Sequence, residues 1–446
     1  MTDVVYLHVG GPKSGTTFVQ HVLQANAEAL AQAGVLVAGP RLELIHAAMA
    51  VRGDRRLEQL PESAASAWER VATGVRAWSG HSAIVSYELF AGASAAQASA
   101  ALQALAGLEV HVVVSARDLG KSIPSAWQEQ LKFGLTKPLE KWRPPAETVA
   151  DSEWGWRTMQ PANVAARWGA DLPPERVHVV TVPGDSADSS ELWHRFAEAC
   201  GLSHLTGLDL SMERVNESLG VVEAELLRRV NKALDGRVQG SRQRSLWIRD
   251  VLAHQVLAPI GREPIGLTDA QLGEAQDEAN RAAAAILAAG YRVHGDLADL
   301  RPGSGQGRLP GQVSDREVLE SATLALADLL VWAGQSGADP HGSTPGSTPG
   351  AASGSTPQEG AGGRLALARS AVRTTLHRVA TPAQSRQVAE LEARVAELEA
   401  QVAAERALHL RVASLTDLVQ ELLLPAAQQD KRVTSSALRS YRKGSL

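Results

Sequence analysis

The chain has 446 residues, enough to bury one sizeable core and still carry extensions. A net charge of −5 and a pI near 6.2 argue against a dedicated nucleic-acid binder, and the single cysteine, Cys200, excludes a disulfide framework or a multi-thiolate zinc site. No uncharged apolar run reaches the ~18 residues of a membrane-spanning helix. The first strand signal starts within a few residues of Met1, which leaves no room for a signal peptide and sets the expected location as the cytoplasm.

In chain order, the apolar run Val4–Val9 reads as a buried strand, followed by a glycine-rich turn and a helix over Thr17–Gln32. Ala83–Ser86, Val110–Val114 and Val177–Val182 read as further strands buried on both faces. Helical periodicity separates them at Ala95–Ala106 and Glu191–Cys200, and continues over 220–234, 269–289 and Ser314–Trp332. Such alternation predicts an α/β fold: a mainly parallel sheet flanked by helices, over a domain of residues 1–300, with a helical extension at 301–334.

Composition then changes. Residues 335–363 repeat Gly-Ser-Thr-Pro and have nothing to bury, so they read as a flexible linker. Residues 364–446 form the last segment, a basic helix and short coiled coil. Five arginines and no acidic residue occupy 364–386, and Val388, Leu391, Val395, Leu398 and Val402 trace an a/d seam of about two heptads. Two readings stand for this tail: a basic face for an anionic surface, or a solvated helix leading into a homo-oligomerising coil.

The chemistry concentrates at Gly10-Gly11-Pro12-Lys13-Ser14-Gly15-Thr16-Thr17. A glycine turn between a strand and a helix start lets backbone N–H groups approach a phosphate. An NTPase loop places its lysine immediately after the second glycine. Here that position is Thr16, and the lysine is Lys13. This order resembles the 5′-phosphosulfate loop of sulfotransferases that use 3′-phosphoadenosine 5′-phosphosulfate (PAPS). The resemblance covers roughly residues 1–300 and is closest to a bacterial branch carrying Arg-Asp-Leu followed by Pro-Ser-Ala-Trp-Gln, here Arg117–Leu119 and Pro124–Gln128.

The resemblance implies a P-loop-like fold in which Lys13, Ser14, Gly15, Thr16 and Thr17 cradle the 5′-phosphosulfate, and Arg117 and Ser125 hold the 3′-phosphate. Guanidinium and hydroxyl donors suit that task. Lys13 is also the candidate cation for charge developing on the leaving oxygen. For the base that takes the acceptor's proton, the family uses a histidine or a glutamate past a central strand. Glu88, after Ala83–Tyr87, is the candidate and His46 its rival. His8 and His21 flank the loop and read as structural. Asn216 and Ser218 either line the cleft or cap the helix starting near Leu219.

The function expected is sulfuryl transfer from PAPS to a hydroxyl or amine of a carbohydrate, glycolipid or small metabolite, without a metal. A P-loop kinase or NTPase, and a non-catalytic nucleotide-domain scaffold carrying a coiled-coil tail, are the alternatives.

Overall fold

The computed structural model describes residues 2–336 apart from 150–152, 185–187, 189, 213–217, 241–242 and 304–306. The linker at 335–363 beyond residue 336, the basic helix and the seam at Val388–Val402 therefore lie outside the described residues. So does Asn216.

Six parallel strands form one sheet in the order β2-β3-β1-β4-β5-β6: β1 Val4–His8, β2 Val35–Val37, β3 Ser82–Ser86, β4 Glu109–Ala116, β5 Val177–Thr181 and β6 Arg292–His294. The α/β architecture with a parallel sheet covered by helices is as the alternation predicts. β3 and β5 are buried at every residue, which is why they read as continuous apolar runs. The two edge strands were not foreseen. Each is three residues long, and β6 offers one apolar residue, Val293, so no run or alternation marks it.

Period-two alternation sorts the strand residues between two cores. On one face Val5, Leu7, Val85 and Val112 pack with Phe90 and Trp168. That face carries α3 (Arg41–Arg52), α4 (Ala67–Ala77), α5 (Ala95–Gln103) and α8 (Pro161–Trp168). On the other, Ile84, Val113 and Val180 meet Val19 and Leu23 of α1 (Thr16–Ala25) and Phe196 of α9 (Glu191–Ala199). A third cluster gathers Ile123 and Trp127 of α6 (Leu119–Lys132), Leu227 of α10 (Val221–Leu234), Ile286 of α11 (Asp269–Ala288) and Val318 of α12 (Asp315–Ser336). Leu30 of α2 (Ala27–Gln32) joins the second group, and Met159 of the short α7 (Trp156–Met159) and Ile248 and Leu257 of a π-helical stretch, Arg244–Leu257, join the third.

One helix expected at Thr17–Gln32 is two, α1 and α2, broken at Asn26. The Asn26 amide donates to the Val22 and Asp209 carbonyls at 2.8 Å, and its side-chain oxygen accepts from Asp209 N–H at 2.8 Å. A residue whose side chain competes for backbone partners ends a helix.

Met1–Leu329 form one compact unit. Val313, Val318 and Ala325 are buried in its core, and Ser321 Oγ donates to Glu223 Oε1 at 3.0 Å, so the first part of the helical extension belongs to the same body as the sheet. The second unit, Leu330–Leu446, is described only over 330–336, the end of α12. Among the described residues, no helix is long and apolar enough to cross a membrane.

Candidate functional site

Chain direction fixes where a ligand can sit. From β1 the chain crosses toward β2, and from β4 it crosses the opposite way toward β5. The crevice beyond the carboxyl ends of two adjacent strands that diverge in this manner is where open parallel sheets bind ligands. The loop after β1 is residues 9–15, and Arg117 immediately follows β4. Topology thus brings both motifs to one crevice.

The loop is held in an unusual conformation. Lys13 has φ 62° and Gly15 φ 77°. A left-handed lysine is strained, at a cost of order 1–3 kcal/mol, and such outliers gather at ligand clamps. Ser14 Oγ donates to the Gly11 carbonyl at 2.5 Å and closes the turn on itself, so Ser14 shapes the loop. Arg117 Nη1 donates to the Lys13 carbonyl at 2.7 Å and ties the loop to β4. Gly15 caps α1 with no side-chain acceptor, and the first turn of α1 holds no acidic residue. The positive end of the helix is therefore left open to an anion. Thr16 is buried in that first turn and Thr17 is exposed.

Lys13 reaches a group that sequence reading missed. Its Nζ lies 2.7 Å from Glu129 Oε1, and Lys132 Nζ lies 3.0 Å from the same oxygen. Glu129 and Lys132 sit on the buried side of α6, with side chains 7% and 1% exposed. Burial alone raises the Glu129 carboxyl, but the two ammonium groups overcome it and hold it at about 2. Glu129 is therefore an anchor for Lys13 and a poor base. The available signal was its place on the helix that follows Arg117, with Lys132 one turn on.

Arg117 and Ser125, the two predicted 3′-phosphate ligands, line one cavity of about 450 Å³ with Lys121, Gly266 and Gly303. Asp118 caps α6 through Lys121 N–H at 3.2 Å and also accepts from Gly303 N–H at 3.0 Å, which draws the 302–303 backbone over the cavity.

Glu88 lies just past β3, where Gln20 of α1 donates to its Oε2 at 2.9 Å. Neighbouring Tyr87 is pushed up to about 12, by burial first and then by the Glu88 charge. Thr17, Gln20 and Tyr87 line a cavity of about 220 Å³ between α1 and the end of β3. His46 lies half-buried on α3, and the structure gives it no polar partner among the described residues.

His8 is buried at the end of β1. Its Nδ1 lies 2.8 Å from Ser86 Oγ and its Nε2 2.7 Å from Ser115 Oγ, so one imidazole joins β1, β3 and β4 beneath the loop. Burial pushes it down to about 3, and it stays neutral. His21 Nε2 lies 3.1 Å from the Ser211 carbonyl at the surface. Ser218 is exposed ahead of α10, whose cap is Gly220 with no side-chain bond.

Comparison with known families finds one match, a domain of unknown function (DUF6752) over residues 391–445, in the tail and outside the described residues. No curated protein and no solved structure matches the chain.

Proposed function

We propose that the α/β domain is a sulfotransferase that moves a sulfuryl group from PAPS to a hydroxyl or amine acceptor. The reading rests on the resemblance of the Lys13 loop and the Arg117–Ser125 motif. The observation that carries it furthest is the hydrogen bond from Arg117 to the Lys13 carbonyl, which joins the two motifs at the β1/β4 crevice. Both needs of a donor with phosphates at two ends of a ribose have residues to meet them.

The uncapped α1 start and Lys13 suit the 5′-phosphosulfate, and Arg117 and Ser125 beside an open cavity suit the 3′-phosphate. When bound, the donor supplies an activated sulfur whose leaving group is a phosphate oxygen. Acceptor oxygen or nitrogen forms the new bond to sulfur as the sulfur–phosphate oxygen bond breaks. The electron pair leaves with 3′,5′-adenosine bisphosphate, the acceptor proton passes to Glu88, and Lys13 meets the growing negative charge. Glu129 keeps the lysine in place throughout.

The kinase or NTPase reading is disfavoured because Thr16 occupies the lysine position. Thermal unfolding with 3′,5′-adenosine bisphosphate, without metal, against ATP with Mg²⁺ separates the two. Bisphosphate at about a hundred times its dissociation constant should add roughly 2.7 kcal/mol. Stabilisation by ATP·Mg²⁺ with no effect of bisphosphate would refute the proposal.

A further inference from the structure

A further cavity shares no lining residue with the one at Arg117 and Ser125, and three of its walls lie close in the chain to the loop's contacts and the candidate base. Its volume is about 830 Å³, within the range of a small-molecule site. Gly92 in one wall ends the single-turn helix Glu88–Gly92 that starts at the candidate base. Gln130 in a second wall directly follows Glu129, the anchor of Lys13. Glu153 and Arg157 form a third wall next to Thr158, whose carbonyl abuts Gly11 so closely that a Cβ there would come within 2.6 Å of it. Three separate segments thus connect this cavity to the loop and the base.

Its lining is cationic. Arg52, Arg55, Arg56 and Arg157 face two carboxylates, Asp54 and Glu153. Those carboxylates are already engaged: Asp54 and Glu153 pair with Arg56, and Arg52 Nη1 lies 3.1 Å from Glu153 Oε1. Arg157 spends Nε on the Gly92 carbonyl at 2.9 Å and Nη1 on the Glu147 carbonyl at 3.3 Å. Among the described residues, neither Arg157 nor the exposed Arg55 has a carboxylate partner. Two guanidinium charges are therefore left over beside the aromatic faces of Trp154 and Phe133, the latter 39% exposed. Arginine forks suit carboxylate and phosphate groups, while aromatic faces suit the apolar side of a ring.

We infer that this cavity is the acceptor site and that the acceptor is an anion, a hydroxylated ring bearing a carboxylate or phosphate that Arg55 and Arg157 recognise. The inference rests on the sulfotransferase reading for the word acceptor, and on the cavity alone for the anion.

The test uses the full-length protein saturated with 3′,5′-adenosine bisphosphate, and ligand-observed NMR titration with three probes: methyl glucuronide, glucose 6-phosphate and methyl glucoside. At least one charged probe should bind fivefold or more tightly than the neutral glucoside, and which one does so tells a carboxylate acceptor from a phosphate one. Arg157→Ala and Arg55→Ala should each close that gap by threefold or more. Arg55 is exposed, so its variant remains informative even where loss of Arg157 disturbs folding. Equal binding of charged and neutral probes, no binding by either anion, or a gap untouched in the Arg55 variant overturns the inference. Bisphosphate affinity is measured in the same samples. Its absence alongside arginine-dependent anion binding would instead overturn the sulfotransferase reading and leave an anion site.

Discussion

Lys13 Nζ and Glu129 Oε1 lie 2.7 Å apart and join the strained turn after β1 to the buried side of α6. The pair fixes a flexible side chain beside the crevice, and in the proposed transfer that fixed charge is what Lys13 brings to the transition state. Glu129→Gln should therefore cost both stability and function. Removing one partner of a largely buried ionic cluster costs about 3–5 kcal/mol, and Lys132 stays buried without its carboxylate. Urea unfolding should show the loss, and bisphosphate titration should show weaker binding. A variant as stable as the parent would mean that the cluster is not anchored as described.

Arg117→Ala removes the tie to the Lys13 carbonyl and a lining group of the 450 Å³ cavity together. A charge-assisted bond is worth about 1.5–3 kcal/mol, so bisphosphate affinity should fall roughly 10- to 100-fold. Ser125→Ala deletes one neutral donor and should cost several-fold. Calorimetric titration of both variants checks the order; equal losses would remove Arg117 from its leading role.

Glu88→Gln should leave bisphosphate affinity intact and slow sulfuryl transfer by ~10²–10⁴, the usual worth of a general base. His46→Ala should leave transfer near the parent rate. The reverse pattern in single-turnover measurements assigns the base to His46.

Acid should destabilise the domain through three groups that act in the same direction. His8 and His178 are pushed down to about 3, both chiefly by burial, so the fold keeps them neutral while the unfolded chain takes up protons below about pH 6.5. Each then removes about 1.4 kcal/mol per pH unit as pH falls toward 3. Glu129, held at about 2, contributes stability that is present above about pH 4.5 and lost as pH drops toward 2. Urea midpoints measured from pH 7 to pH 5 should decline, and His8→Asn should be weaker at pH 7 but flatter with pH. A midpoint constant over that window contradicts the assignment of neutral buried imidazoles.

Truncation after Ser336 keeps the whole of the unit Met1–Leu329. Bisphosphate affinity and the melting temperature should hold, while a tail that oligomerises the protein should show as a lower mass by light scattering. Loss of nucleotide binding on truncation would instead assign the tail to the site.

The sequence by itself determined the central strands β1, β3, β4 and β5, because strands buried on both faces must be continuous apolar runs between polar breaks. It also marked the glycine turn at Lys13 and the segment from Arg117 to Ser125, because a turn between a strand and a helix shows as particular residue types at short spacing, and the structure brings the two together. Contacts between distant segments left no such trace. The edge strand β6 exists because β5 offers it a partner, and Asn26 breaks a helix because Asp209 lies within reach. Only the tertiary structure decided that Glu129 holds Lys13, that His8 joins three strands, and that four arginines from two separate stretches of chain meet in one cavity. Each of those relations depends on which strands lie side by side, and that order is set by the packing of helices on both faces of the sheet, a property no local pattern carries.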